Sequence, residues 1–376
     1  MSDLRVIVDQ LRTEVPGGIG RYTADLTAAL IETAPAEWGV IGVVSAADQN
    51  AIGRVRAALP GLDDLDVLPR SRRALSLAWE LGLVSARDLP RGSATHGPSQ
   101  FTPLAPSRGG SRVTVTIHDA VPWTHPETLT RYGAQWHRAM ARRAARFADA
   151  IAVPTRAVAN ELQTWVNLGD RVHVIGGAPS DALALPADAE TRAEALGLPS
   201  AYVLAVGTLE PRKGLDALVR AMASPEAPDL PLVVAGPPGW GDVDLASLAA
   251  ATGLPPEGLI ILGRVSDADL AVAYDRATVF AFPSRAEGFG LPVIEAMRLG
   301  APVVHTDVPA VMEVAGGAGR IVTRAPDADF PARFAAELRT VVEDRALTTA
   351  LVAAGRERAT AFSWLTSAEQ VWALHS

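Results

Sequence analysis

The stretch Ser284-Arg285-Ala286-Glu287-Gly288-Phe289-Gly290-Leu291-Pro292-Val293-Ile294-Glu295-Ala296-Met297 follows an apolar run, Val279 to Pro283, and leads into residues with helical spacing. It reads as a buried strand, a glycine-rich turn and the opening of a helix. Gly288 and Gly290 let backbone approach a ligand closely, and Pro292 falls in the first turn, where a missing N–H costs nothing. Unsatisfied amides and the positive end of the helix dipole make such a start an anion site of the kind that holds phosphates. Glu287 stands just outside the helix, and Glu295 lies roughly 12 Å further along its axis at about 1.5 Å per residue. Two acids so spaced can touch two ends of one extended ligand. As ordinary helix acids they would each contribute only a few tenths of a kcal/mol.

The same texture extends in both directions. Apolar β-type runs at Leu4 to Asp9, Trp38 to Ser45, Leu65 to Pro69, Val113 to His118, Ala150 to Pro154 and Val172 to Ile175 are interspersed with helical segments, among them Gly20 to Glu32, Glu127 to Phe147 and Arg156 to Val166. From Gly176 through Pro199, Gly, Pro, Ala and Asp replace any β-branched run, the texture of a linker. The pattern restarts with Tyr202 to Val206, Leu232 to Ala235, Leu259 to Leu262, Val279 to Pro283, Pro302 to His305 and Arg320 to Val322. Such alternation predicts an α/β protein of two Rossmann-like, doubly wound domains with parallel sheets, over residues 1–178 and 179–361. The length of 376 residues suits two domains, and sheets of this kind bind ligands at the carboxyl ends of their strands. A long helical stretch from Pro331 to about Ala361 closes the second domain. Residues 362–376 then form a short C-terminal helix, which either caps its own domain or crosses back onto the first.

Composition narrows the chemistry. Hydrophobic residues at 48% and charged residues at 20% describe a folded globular chain. No apolar run reaches the ~20 uncharged residues of a membrane-spanning helix. Leu4-Arg5-Val6 enters the first strand without a basic and apolar signal, so a cytoplasmic location is expected. The absence of cysteine excludes disulfides, thiolate metal sites and cysteine nucleophiles together. A net charge of −8 argues against nucleic acid as a partner. That charge is uneven: residues 1–178 carry 19 Arg against 17 acids (+2), the remainder 15 Lys plus Arg against 25 acids (−10). Arg138, Arg142 and Arg146 share one helical face with Arg143 alongside, which suits a peripheral contact with an anionic membrane, a phosphorylated acceptor or, at least as readily, a solvated face. His125, His137 and His173 lack metal-ligand spacing, and no metal is expected.

Three more strings carry candidate chemistry. Gly207-Thr208-Leu209-Glu210-Pro211-Arg212-Lys213-Gly214-Leu215 turns from a strand into a helix with two adjacent cations. Lys213 is the only lysine against 33 arginines, and its compact charge suits a phosphate oxygen. Gly17-Gly18-Ile19-Gly20-Arg21-Tyr22 makes a glycine-rich loop ahead of a helix. Val113 to Ile117 ends in His118-Asp119-Ala120-Val121-Pro122, which sets a histidine at a strand's carboxyl end.

Together these strings resemble the retaining glycosyltransferases of the GT-B fold, family 4, whose signature is a Glu-x7-Glu pair. The similarity covers residues 201–315 and, with fewer matches, 1–178; Gly236-Pro237-Pro238-Gly239-Trp240, Leu262 to Val265 and Thr306 to Ala310 extend it. The resemblance implies GT-B architecture, with an acceptor-binding domain over 1–178 facing a nucleotide-sugar domain over 179–361 across a cleft. It implies that Arg212 and Lys213 neutralise the diphosphate, although Thr208 stands where many members have a further arginine. It also implies that Gly18 and Gly288, Phe289, Gly290 and Leu291 approach the donor, that Glu287 holds sugar hydroxyls and Glu295 the ribose, and that Val265 faces the base. His118 would lie beside the transferred hexose, with Arg21, Tyr22 and Asp119 on the acceptor side.

The Gly-Thr-Leu-Glu-Pro-Arg-Lys and His-Asp-Ala-Val-Pro segments are most similar to GDP-mannose-dependent members. The activity so implied is transfer of a hexose, mannose from GDP-mannose first, to a hydroxyl of an oligosaccharide or polysaccharide, with no cofactor and no divalent metal. The alternatives are a UDP-hexose-dependent transferase acting on a lipid-linked or small-molecule acceptor, and a non-catalytic nucleotide-sugar sensor.

Overall fold

The strands β1 (Ser2–Ile7), β2 (Trp38–Val44), β3 (Asp64–Val67), β4 (Ala94–Gly97), β5 (Arg112–Thr116), β6 (Ala150–Val153) and β7 (Val172–Val174) form a parallel sheet in the order β3-β2-β1-β4-β5-β6-β7. A second parallel sheet holds β8 (Val203–Val206), β9 (Leu232–Ala235), β10 (Leu259–Gly263), β11 (Val279–Phe282), β12 (Val303–Thr306) and β13 (Arg320–Val322), in the order β10-β9-β8-β11-β12-β13. The computed structural model describes all residues except 1, 15–16, 90–91, 107–110, 240, 242–243 and 376. Trp240, at the end of one string singled out above, therefore lies outside the described residues. The chain divides into two units, Met1–Gly177 with Ser363–Ser376, and Ala178–Phe362.

Parallel sheets are covered on both faces, so their strands read as near-continuous apolar runs. In the second unit one face of the sheet is covered by the helices Leu215–Met222 and Phe330–Glu343, with Leu218, Val219, Phe334 and Leu338 fully buried. The other face meets Asp267–Asp275 and Leu291–Leu299 through Tyr274, Val293 and Met297. Both sheets reverse strand order beside their first strand, between β1 and β4 and between β8 and β11. At such a reversal the loops leave in opposite directions and open a crevice at the carboxyl ends.

Several elements differ from the sequence expectation. Ala94-Thr95-His96-Gly97 has no apolar run, yet β4 is a strand because β1 and β5 pair with it on either side, Leu4 with Ala94 and Ala94 with Arg112. The segment expected to be a linker belongs to the second unit from Ala178 onward. Leu183 is fully buried in that core, Arg298 donates to the carbonyls of Ser180 and Leu183, and a helix at Ala189–Ala195 is tied to Asp269 through Arg192 at 2.8 Å. The long closing helix is two, Phe330–Glu343 and Arg345–Ala359, divided where Asp344 caps the second by accepting from Leu347 N at 2.9 Å. The C-terminal helix Trp364–Ala373 crosses to the first unit and packs on Gly17–Glu32. Among the described residues no helix is long and apolar enough to cross a membrane.

Candidate functional site

At the switch point of the second sheet the loops after β8 and β11 meet. The chain leaves β8 into a 3-10 turn, Pro211–Lys213, and Gly214 reverses it with φ +66° into the helix Leu215–Met222. A Cβ at Gly214 would lie 2.3 Å from the carbonyl oxygen of Pro283, so only glycine lets this turn press against the end of β11. The amide of Arg285 donates to the carbonyl of Arg212 at 2.8 Å and fixes the contact. Gly290, at φ +94°, then starts the helix Leu291–Leu299 with Pro292 in its first turn.

This contact brings Glu287 between the two cations. Lys213 Nζ donates to its Oε1 at 2.7 Å and Arg212 Nη1 to its Oε2 at 3.1 Å, while the Ser284 hydroxyl donates to Oε1 at 2.8 Å. Arg212 also donates to Glu210 Oε1 at 2.8 Å and to the carbonyl of Ala286 at 3.2 Å. Lys213 Nζ stands 5.8 Å from the Phe282 ring centroid. The Glu287 side chain is only 7% exposed. Burial pushes its pKa up, but the Lys213 and Arg212 charges and the Lys213 and Ser284 hydrogen bonds outweigh that and hold it below the usual carboxylate value. The carboxyl is thus ionised at neutral pH. Two cations (Arg212, Lys213) and two carboxylates (Glu210, Glu287) sum to zero formal charge, so any phosphate arriving here shares cations that already have partners.

Glu295 does not join this cluster. It is 2% exposed within the helix Leu291–Leu299 and accepts from the Tyr274 hydroxyl at 3.0 Å. Val265 follows β10 and packs on the apolar cluster beneath that same helix. Phe289 is half-buried, its ring edge-on to Phe362 at 5.6 Å. Among the described residues no group of three or more His, Asp or Glu is arranged to hold a metal ion.

In the first unit His118 lies just beyond β5, at the carboxyl end of a strand neighbouring the switch point. Its Nε2 is 2.7 Å from the carbonyl oxygen of Pro98. A carbonyl only accepts, so Nε2 carries the proton. Burial pushes the imidazole pKa down, against the opposing pull of the Pro98 carbonyl and Asp119, so the ring is neutral and Nδ1 is left as an acceptor. Asp119 accepts from the amide of Val121 at 3.0 Å.

Tyr22 is not positioned to touch an acceptor. It is 4% exposed, edge-on to His118 with ring centroids 4.7 Å apart, and burial pushes its hydroxyl pKa up to about 12. Gly18 lies not in a loop but in the first turn of Gly17–Glu32, exposed, with open space around its α-carbon; Arg21 follows it, half-buried, on the same helix.

The partners Ser284 and Glu210 were not singled out from the sequence. Their only signal is spacing: Ser284 stands three residues before Glu287, and Glu210 two residues before Arg212. Gln100 was also missed. It accepts from the imidazole of His137 at 2.6 Å, in a buried loop after β4 that also supplies the Pro98 carbonyl.

Residues 187–358 match the family model Glycosyl transferases group 1, and residues 16–178 match Glycosyltransferase Family 4. An O-antigen chain mannosyltransferase B of Escherichia coli is 36% identical over 166 residues, 43% of this chain and 42% of its own length. A D-inositol 3-phosphate glycosyltransferase 1 of Catenulispora acidiphila is 33% identical over 245 residues, 60% of this chain and 58% of its own. The chain thus spans about half the length of these curated relatives. Among solved structures, sucrose-phosphate synthase from Thermosynechococcus elongatus superposes with a TM-score of 0.79 at 21% identity, covering 100% of this chain and 98% of the other. With one family model over each unit and a glycosyltransferase fold throughout, the chain belongs to the GT-B glycosyltransferases of family 4.

Proposed function

We propose that the protein is a retaining glycosyltransferase that moves a hexose, mannose from GDP-mannose in the first instance, onto a hydroxyl of an oligosaccharide or polysaccharide. The observation that carries this is the convergence of Arg212 and Lys213 on Glu287 at 3.1 and 2.7 Å, beside the amide-rich start of Leu291–Leu299. Breaking the bond from the anomeric carbon to a nucleoside diphosphate builds negative charge on the phosphate and positive character on the sugar. The two cations and the helix-end amides answer the first need without a divalent ion, and the Glu287 carboxylate holds sugar hydroxyls beside the second.

The acceptor hydroxyl attacks the anomeric carbon on the face from which the diphosphate leaves. As the new C–O bond forms, the electron pair of the breaking bond goes to the phosphate oxygen, which takes the acceptor's proton. His118, neutral and with Nδ1 as an acceptor, takes a hydrogen bond from a hexose hydroxyl. Glu295 holds the ribose in this scheme, and Val265 faces the base. The first unit receives the acceptor and the second the donor.

A relative named for O-antigen mannosyl transfer supports mannose, and one named for D-inositol 3-phosphate supports a second acceptor class, a small phosphorylated polyol. Thermal-shift screening against GDP, UDP, ADP and their hexose derivatives, followed by NMR of the product's anomeric centre, tests the proposal. Stabilisation by GDP and GDP-mannose with a retained centre is expected. An inverted centre overturns the mechanism, and turnover with UDP-hexose alone overturns the donor. Lys213→Ala is expected to lower transfer at least ~10²-fold, the scale for losing a charge stabiliser.

A further inference from the structure

We propose that the C-terminal helix Trp364–Ala373 positions His118 through a ladder of aromatic rings, with Trp364 as the positioning residue. This rests on the role of His118 as the hexose contact. The Trp364 ring, 8% exposed, meets Tyr22 edge-on with centroids 5.3 Å apart and planes at 74°. Tyr22 in turn meets His118 at 4.7 Å and 89°. Both fall in the range where edge-to-face aromatic pairs are favourable, about 4.5–7 Å between centroids. The Pro98 carbonyl fixes rotation of the His118 ring from one side and the edge contact fixes its plane from another. Without Trp364, Tyr22 has no ring backing it from the helix, and its edge contact with the imidazole is no longer held in place from that side.

The helix that delivers Trp364 is itself pinned along its length. Ser363 caps it, Ser367 Oγ donates to the Gly176 carbonyl at 2.9 Å, and Trp372 Nε1 donates to the Leu30 carbonyl at 3.2 Å, its ring 5.5 Å from Trp38. Just past its end, His375 Nε2 lies 3.0 Å from Thr114 Oγ1, which also meets His96 Nδ1 at 2.7 Å. Thr114, Thr116 and His118 recur at every second position, so a continued strand would carry them on one face. The terminal segment therefore holds the same row of residues at two places, His375 at Thr114 and, through Tyr22, Trp364 at His118. A helix so fixed sets the ring ladder in a single position.

Trp364→Leu fills the space with an apolar side chain but removes the ring, and Trp364→Phe restores a ring. The readouts are kcat, donor KM, GDP affinity and the imidazole NMR signals of His118, assigned against His118→Gln. Expected for Trp364→Leu are a kcat lower by about tenfold or more, the scale of misplacing a contact group, with GDP affinity unchanged. The His118 signal should shift and titrate closer to pH 6.5, and Trp364→Phe should recover most of both. An unmoved His118 signal in Trp364→Leu overturns the ladder, as does equal loss in both variants. If no sugar is transferred by the parent protein, the functional reading fails while the NMR arm still decides the ladder. A Trp364→Leu chain that has lost its helix is recognised by far-ultraviolet dichroism, and Tyr22→Leu then carries the same test with the helix intact.

Discussion

On the proposed assignment of Arg212 and Lys213 to the donor diphosphate, replacing Glu287 by glutamine should separate binding from transfer, because the carboxylate would compete with the diphosphate for the same two cations. A phosphate oxygen that takes Lys213 Nζ at about 2.8 Å, from the side away from Glu287, stands about 5 Å from a carboxylate that is itself 2.7 Å from Nζ. Two unit negative charges at that separation repel by about 3 kcal/mol at an effective dielectric of about 20 and by about 0.8 kcal/mol in bulk water. Lys213 and Glu287 are 14% and 7% exposed, so the repulsion lies between these limits. Glutamine keeps the shape of the side chain and a hydrogen bond to Ser284 while removing the charge. At about 1.4 kcal/mol per decade the gain in GDP affinity should be about tenfold. Transfer should nevertheless fall at least ~10²-fold, because in the proposed mechanism the group that holds the sugar hydroxyls loses its charge. Calorimetric titration with GDP and single-turnover transfer from GDP-mannose measure the two effects separately, and Lys213→Ala, which loses affinity and rate together, is the control. Should Glu287→Gln weaken GDP binding as strongly as Lys213→Ala does, the carboxylate would be organising the cations and would not be competing with the diphosphate.

The buried histidines set an acid limit. His96 and His375 have pKa values lowered to about 3 and about 4, chiefly by burial, against 6.5 unfolded, so the folded chain binds fewer protons and their contribution is complete above pH 6.5 and is lost as pH falls toward those values. Urea midpoints should fall on acidification from pH 7 to 5, and less so in His375→Leu; an unchanged slope in that variant would assign the acid sensitivity elsewhere. Gly214→Ala places a methyl 2.3 Å from the Pro283 carbonyl at φ +66° and should cost about 2 kcal/mol or more, read in the urea midpoint. The same variant should lose GDP affinity, because the turn that carries Lys213 is displaced; normal GDP affinity would show that the close approach is not what aligns the cations.

What the sequence revealed and what it hid divide along a physical line. Strands of the second sheet such as β8, β9 and β11 are legible because each is an apolar run bounded by glycine, proline or a polar turn. β4 is not legible, since Ala94-Thr95-His96-Gly97 owes its conformation to β1 and β5, strands remote in sequence. The stretch after Gly177 has the composition of a linker, but Leu183 and Arg298 anchor it, and no composition window contains a partner more than a hundred residues away. The sequence left two destinations for the C-terminal helix for the same reason: Trp372, Ser367 and His375 are decided by Leu30, Gly176 and Thr114.

The site follows the same rule one level down. Arg212, Lys213 and Glu287 could be named from the sequence because each sits in a local string of glycines and helix-start residues, and those strings together carry the family resemblance. Their mutual neutralisation could not, because it depends on β8 and β11 being neighbours in the sheet and on Gly214 allowing contact at the end of β11. A cation pair read from sequence alone looks like surplus positive charge waiting for a phosphate. Set beside Glu210 and Glu287 it becomes a balanced quartet, in which the proposed diphosphate would gain affinity only by sharing hydrogen bonds that the carboxylates already hold. In such a quartet each cation has a carboxylate partner, which offsets the self-repulsion of an unpaired pair of cations. On the proposed function, tight ground-state binding would be exchanged for a site whose attraction grows as charge builds on the departing phosphate, which is the condition for accelerating transfer rather than merely binding the donor.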